Sequence, residues 1–219
     1  MPFNGGEGET PGYVTEVLQA IFGPKGVGID YQAMAWEKAL DACRAGQVDA
    51  VPCASPKEAK GLVLPRETIA EIQYGMFVLK ASSWKMVGPQ SFAGQKIGAT
   101  PGYNYWDSLD AFLAATPSAI VKLDPDDSCR DGVKKLLAKE VDMLPECPQV
   151  FFWTLKEATI DASQFRMACR MPADPVYVAF RADEKGAEWA RMFDQGIVEL
   201  RKNGKLAKIL AKYQVQDWK

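Results

Sequence analysis

The chain states one pattern twice. Ala45-Gly46-Gln47-Val48-Asp49-Ala50-Val51-Pro52 is echoed by Ala138-Lys139-Glu140-Val141-Asp142-Met143-Leu144-Pro145, and a cysteine follows soon after each tract. An amphipathic helical stretch precedes each copy (Trp36 to Arg44 and Gly132 to Leu137), and a short apolar run follows the Asp. Helix, tight turn, buried strand and polar loop make half of an α/β unit. Two such halves in 219 residues imply two similar lobes. In open α/β sheets, ligands collect beyond the carboxyl ends of the strands, so two such edges suit a clamp around a small molecule.

Composition narrows the function. The chain is 47% hydrophobic and 25% charged, as in an ordinary globular protein. A net charge of -2 gives no electrostatic basis for binding nucleic acid or an anionic membrane. No apolar run approaches the roughly 20 residues that span a bilayer. No signal peptide is read, because Met1-Pro2-Phe3 runs straight into Asn4-Gly5-Gly6. Histidine is absent, which excludes a His-based triad, a His-bearing zinc site and His acid–base chemistry. The five cysteines (Cys43, Cys53, Cys129, Cys147, Cys169) include no C-x-x-C pair, against a Cys-only zinc site or a redox motif. Cys43 falls on the apolar side of a helix and reads as core. Cys129 and Cys147 are a candidate disulfide in an oxidising compartment.

The periodicity predicts alternating elements. Helices are expected over Tyr13 to Phe22, Glu37 to Ala45, Tyr105 to Ala115, Ser128 to Ala138, Glu184 to Lys202 and Leu206 to Tyr213. Strands are expected over Gly28 to Ala35, Val48 to Pro52, Tyr74 to Lys80, Gly94 to Thr100, Ile120 to Leu123, Val141 to Leu144, Phe165 to Arg170 and Val176 to Phe180. Ser55 to Leu64 reads as a polar loop with a short helical piece. The fold class is α/β, with mostly parallel sheets covered by helices. Chain crossings at Tyr74–Lys80 and Val176–Phe180 would form a two-strand hinge. Gly5 to Gly12 lacks the G-x-G-x-x-G spacing and a preceding strand, so it reads as a surface turn.

Five segments, in order, resemble the bacterial periplasmic solute-binding proteins of the amino-acid-binding type (family 3), which feed ABC transporters. Pro2-Phe3 with Gly12-Tyr13 is similar to the family's opening segment. Ala35-Trp36-Glu37-Lys38-Ala39-Leu40 through Gly46-Gln47-Val48-Asp49-Ala50 is similar to its "W…AL…L..GkvD" tract. Phe92-Ala93-Gly94-Gln95-Lys96-Ile97-Gly98, with Pro101-Gly102 after it, resembles the entry to the second lobe. Asn203-Gly204-Lys205-Leu206-Ala207-Lys208-Ile209-Leu210-Ala211-Lys212-Tyr213 is similar to the closing helix.

The resemblance implies a two-lobed periplasmic-binding-protein type II (Venus-flytrap) fold. Lobe 1 would comprise 1–79 and 181–219, and lobe 2 would comprise 80–180. The family's first strand would precede Pro2-Phe3, so the N-terminus resembles a trimmed one. The implied role is capture of a small polar or aromatic-containing solute and delivery to a membrane permease. The protein would be a periplasmic monomer with no cofactor and no enzymatic activity. Two alternatives stay open: the ligand-sensing domain of a membrane receptor kinase or cyclase, and a small dehydratase-like enzyme using Glu58 and Glu146 as acid and base.

Candidate ligand-binding residues are Trp36, Cys53, Ser55, Glu58, Thr100, Tyr103, Asn104, Tyr105 and Glu146. Trp36 aligns with a cleft position or packs in the core. Cys53 and Ser55 end the first repeated strand and either face a cleft or cap the loop. Ser55-Pro56-Lys57-Glu58 is similar to the family's "TPER"-like loop but places Glu58 where a carboxylate-clamping Arg would fall. Glu58 therefore either meets a ligand amine or is a solvated charge. Thr100, Tyr103, Asn104 and Tyr105 enter a helix where backbone N–H groups favour anions, and Asn104 is alternatively that helix's N-cap. Glu146 lies one residue before the family's amine-binding Asp, or is a surface acid beside Pro145.

Overall fold

The computed structural model describes residues 11–213 and 215–219. Pro2-Phe3 and the Gly/Glu-rich stretch up to Thr10 lie outside the described residues. In chain order the first elements are α1 (Tyr13–Phe22), α2 (Trp36–Arg44), β1 (Ala50–Ala54), β2 (Ala70–Leu79), β3 (Ile97–Ala99), α3 (Asp107–Ala115) and β4 (Ile120–Lys122). Then follow α4 (Ser128–Leu137), β5 (Leu144–Glu146), α5 (Pro148–Glu157), β6 (Phe165–Phe180), α6 (Glu184–Lys202) and α7 (Lys205–Lys212). The chain divides into two compact units, Met1–Ile72 with Asp174–Lys219, and Gln73–Ala173. It passes from the first unit to the second within β2 and returns within β6.

In the first unit, α1 puts Val14, Val17, Leu18 and Ile21 on one buried stripe, the i, i+3, i+4, i+7 spacing of an amphipathic helix. That stripe packs on α6 and α7. Gly196 of α6 faces Ile21 so closely that a Cβ would stand 2.5 Å from its side chain. The first turn of α1 has no side-chain cap. Its Gly12 N–H donates instead to the Tyr213 hydroxyl (3.2 Å), which in turn donates to Glu16 (2.6 Å). Helix α2 lays Leu40 and Cys43 against Val51, Ala54, Ala59 and Ala179. β1 pairs antiparallel with the end of β6, Ala50 opposite Phe180 and Val51 opposite Ala179.

In the second unit, β3 and β4 pair in parallel, and Ile97 bridges Met143 in parallel. The far part of β2 pairs antiparallel with β5. Two clusters fill the interior. One gathers Met76, Phe92, Ile97, Trp106 and Leu109; the other gathers Phe77, Val133, Leu136, Leu144 and Phe151. The sheets are therefore more mixed than the strand–helix alternation implies. Both antiparallel pairs involve a strand that crosses between the units. Such a direct crossing does not impose the parallel direction that a βαβ connection does.

The repeated tract is repeated in hydrogen bonds. After α2, Gln47 N–H bonds to Ala42 C=O and Gly46 N–H to Cys43 C=O; after α4, Glu140 N–H bonds to Lys135 C=O and Lys139 N–H to Leu136 C=O. Both are Schellman endings, with the left-handed residue at Gly46 (φ 70°) and Lys139 (φ 60°). Each throws the chain back into a buried strand, which is why the two tracts read alike.

Three expectations are corrected. Gly28 to Ala35 is not a strand: the described residues place it in no ladder, and it is largely exposed. Phe165 to Arg170 and Val176 to Phe180 form one 16-residue strand. Helix α5, absent from the sequence reading, follows β5 directly.

Candidate functional site

The first unit contributes the end of β1. The ladder loses register between Val51 and Ala54, and Cys53 sits there at φ 65°, left-handed backbone that a non-glycine residue adopts at a cost. Behind this bulge, Ser55 and Glu58 form a reciprocal capping box. Glu58 N–H donates to Ser55 Oγ (3.3 Å), while Ser55 N–H (3.0 Å) and its hydroxyl (2.6 Å) donate to Glu58 Oε2. The other carboxylate oxygen, Oε1, accepts from the Trp36 indole Nε1–H at 3.0 Å. Trp36 opens α2 and packs part of its ring on the Leu40–Cys43–Ala54 cluster. Arg44, one helix length on, donates to Glu58 C=O (2.7 Å), Lys60 C=O (3.1 Å) and Asp41 (2.8 Å). Its guanidinium thus braces the loop from its carbonyl side. Trp36, Ser55 and Glu58 are one bonded group, with Cys53 next to it in the chain.

The second unit contributes the carboxyl ends of its parallel strands. β3 leads into Thr100, and the bridge at Met143 aligns β5 so that Glu146 ends at the same edge. The Thr100 N–H, expected to be open to an anion, donates to the Tyr105 hydroxyl at 2.8 Å, and Thr100 is buried. Burial pushes the Tyr105 hydroxyl up to about 12. Helix α3 starts at Asp107 with Trp106 as N-cap, so Asn104 does not cap it. The Tyr105 N–H is taken by the Asp110 carboxylate (3.0 and 3.3 Å), which delays the helix by two residues from its expected start. Tyr103 and Tyr105 are neighbours (6.5 Å between ring centroids), and Tyr74 of β2 meets Tyr105 edge-on at 5.5 Å.

Glu146 is half-buried rather than fully solvated. Burial pushes its carboxyl up to about 7 against two compensating bonds, from the Cys147 N–H (2.6 Å) and the Cys129 thiol. Cys147 donates its thiol to Gln149 Oε1 (2.8 Å) and is itself pushed up to about 12, by burial first and by Glu146 second. Cys129 is pushed up for the same reasons in the same order. Neither is in a disulfide, nor is any other of the five cysteines. Tyr105 also feels the Glu146 charge. Glu146, Tyr105 and Thr100 therefore lie in one neighbourhood with Cys129 and Cys147.

Sequence reasoning missed Tyr31, whose hydroxyl is pushed up by partial burial and then by Cys53, and Tyr74, which meets Tyr105. Neither position carries a motif that would single it out. Among the described residues no helix is long and apolar enough to cross a membrane.

A search of curated proteins returned no match. Among solved structures, an ancestral arginine-binding protein bound to arginine is similar at a TM-score of 0.78 and 18% identity, covering 97% of this chain and 92% of that one. A putative L-cystine ABC transporter protein from Listeria monocytogenes gives 0.77 and 17%, with coverages of 97% and 92%. A histidine kinase sensor domain with similarity to periplasmic binding proteins gives 0.76 and 21%, with coverages of 97% and 90%. At these identities the likeness establishes the fold, an α/β periplasmic-binding-protein fold. The profile of the bacterial extracellular solute-binding proteins, family 3, matches residues 1–216, and the chain belongs to that family.

Proposed function

We propose that the protein is an extracytoplasmic receptor that captures a small solute between its two units and delivers it to the membrane permease of an ABC transporter. The observation that carries this reading is the family match over nearly the whole chain. Trp36, Cys53, Ser55 and Glu58 in one unit, and Thr100, Tyr103, Asn104, Tyr105 and Glu146 in the other, are the proposed ligand-binding residues. All lie at or just beyond strand ends or at a helix start, where α/β folds present their binding groups. The two passages of the chain, in β2 and β6, are the proposed hinge. The protein performs no chemistry in this reading and acts as a monomer in the periplasm.

The likeness to a histidine kinase sensor domain favours one second reading, in which the same capture event is passed to a membrane receptor. Membrane vesicles carrying the cognate permease separate the two, since only the transport reading expects solute uptake that depends on this protein.

A thermal-shift screen of amino acids, amines, and aromatic and aliphatic carboxylates tests the binding role. A solute at about 100 times its Kd stabilises the folded state by about 2.7 kcal/mol, which is readily measured. At least one solute class is expected to raise the melting temperature in a saturable way. No shift across the panel, with blank calorimetry, would overturn the role.

A further inference from the structure

Two of the eight methionines and one of the five cysteines fall in one short stretch of β6, Met167-Ala168-Cys169-Arg170-Met171. Side chains two apart in a strand share a side, so Met167, Cys169 and Met171 form a row with about 7 Å between neighbours. At that spacing the flexible methionine stems can bring their sulfurs to the cysteine. All three are half-buried, whereas Arg170 between the last two is exposed. Arg166, outside the row, sends its guanidinium to the Ser82 and Trp84 carbonyls.

Two of these sulfurs converge on one spot of β2. A Cβ on Gly75 would stand 2.5 Å from Met167 Sδ, so the thioether uses room that the glycine leaves open. Burial pushes the Cys169 thiol up, and a bond from the N–H of the next residue, Met76, pulls it back toward the thiolate. Filling an apolar core is the plain use of methionine and cysteine. These three lie at core margins instead. Met167 borders the Phe77–Phe151 cluster, while Cys169 and Met171 border the Met76–Trp106 cluster. Across the sheet, Glu146 pairs with Gly75, but its carboxylate is engaged by the Cys147 N–H and the Cys129 thiol. Among the described residues, no group of three or more His, Cys, Asp or Glu could hold a metal ion. A hard ion therefore finds no donor set, whereas a thiolate between two thioethers is what soft monovalent copper selects.

We propose that Cys169, Met167 and Met171 form a site for monovalent copper. It would be a second ligand, held by three residues outside the proposed solute site and within one unit. The Cys169 thiol releases its proton to solvent as its sulfur bonds the ion, and the two thioethers complete the set. Copper enters and stays as Cu(I), so no electron is exchanged.

Anaerobic competition against a chromogenic Cu(I) chelator tests the site on the whole chain. The wild type is expected to withdraw one equivalent of Cu(I), and X-ray absorption at the copper edge is expected to show sulfur neighbours alone. Losing even an outer partner of a metal site costs about 10–100-fold in affinity. Cys169→Ser, which removes the anionic donor, is therefore expected to cost at least about 100-fold. Met167→Leu combined with Met171→Leu is expected to cost at least about tenfold, and these volume-conserving changes leave the packing in place.

A wild type that withdraws no Cu(I), or that holds it among nitrogen and oxygen neighbours, would overturn the site. Uptake that survives in Cys169→Ser would place the ion on another thiol and overturn it equally. Unchanged affinity in the double leucine variant would overturn the thioether ligands.

Discussion

Glu146→Gln is expected to make the protein more stable above pH 7 while weakening its hold on solute. The carboxyl is pushed up to about 7 in the folded protein, against an ordinary value of 4.5, with burial as the main cause. Between those two values the folded state holds a proton that the unfolded state has released. Stability therefore falls as pH rises through this window, and the contribution of the neutral carboxyl is fully present only below it. At about 1.4 kcal/mol per pKa unit, the loss is on the order of 3 kcal/mol. The groups packed round it (Cys129, Cys147 and Tyr105) are all pushed above their own ordinary values. The slope near neutrality therefore belongs to Glu146.

The amide introduced by Glu146→Gln would keep an acceptor for the Cys147 N–H without the charge. Denaturation between pH 5 and 8 is expected to show the wild type losing stability and the variant nearly flat. If Glu146 meets the positive end of the solute, the same variant should lose more than about tenfold in affinity. A stabilising substitution that impairs binding is the signature of a group kept for function. A variant that is destabilised at pH 8 would instead make Glu146 a structural acceptor.

Phe151→Ala is expected to cost about 3–5 kcal/mol, the range for a fully buried aromatic. Its ring stacks on Phe77 at 3.8 Å and 8° and meets Phe165 edge-on at 5.3 Å, and both Phe151 and Phe77 are 0% exposed. The cavity would open beneath Phe77, with Phe152 still meeting that ring edge-on at 5.8 Å. Urea denaturation should show a lower midpoint with an unchanged slope, and Val87→Ala, at a residue 78% exposed, should shift stability by no more than about 0.5 kcal/mol. A cost below about 1 kcal/mol for Phe151→Ala would contradict the docking of α5 on this sheet.

The elements that were legible in the sequence are those whose pattern is set locally. Helix α1 announces itself through Val14, Val17, Leu18 and Ile21, and the repeated Schellman turns through Ala45-Gly46 and Ala138-Lys139. Helix α5 was hidden because Val150-Phe151-Phe152-Trp153 is a continuous apolar run, which blurs the helical period although only Phe151 and Leu155 are fully buried. The middle of β6 was hidden because Pro172 and Pro175 read as strand breakers. They are tolerated because residues 172–175 are exposed. Gly28 to Ala35 misled in the other direction, since among the described residues it finds no ladder partner.

The candidate site divides in the same way. Ser55-x-x-Glu58 is a readable cap, yet the bond from Trp36 to Glu58 depends on α2 packing against β1. The altered titration of Glu146 depends on how β5 and the start of α5 enclose it. The closure of Thr100 N–H by the Tyr105 hydroxyl could not be read from the polar residues of that loop alone.

The central claim is that the protein holds a solute between two units joined by β2 and β6. Small-angle scattering with and without a saturating solute taken from the thermal-shift screen tests it most directly. Closure about the two strands is expected to reduce the radius of gyration on binding. An unchanged radius, at a solute concentration that calorimetry shows to be saturating, would contradict it.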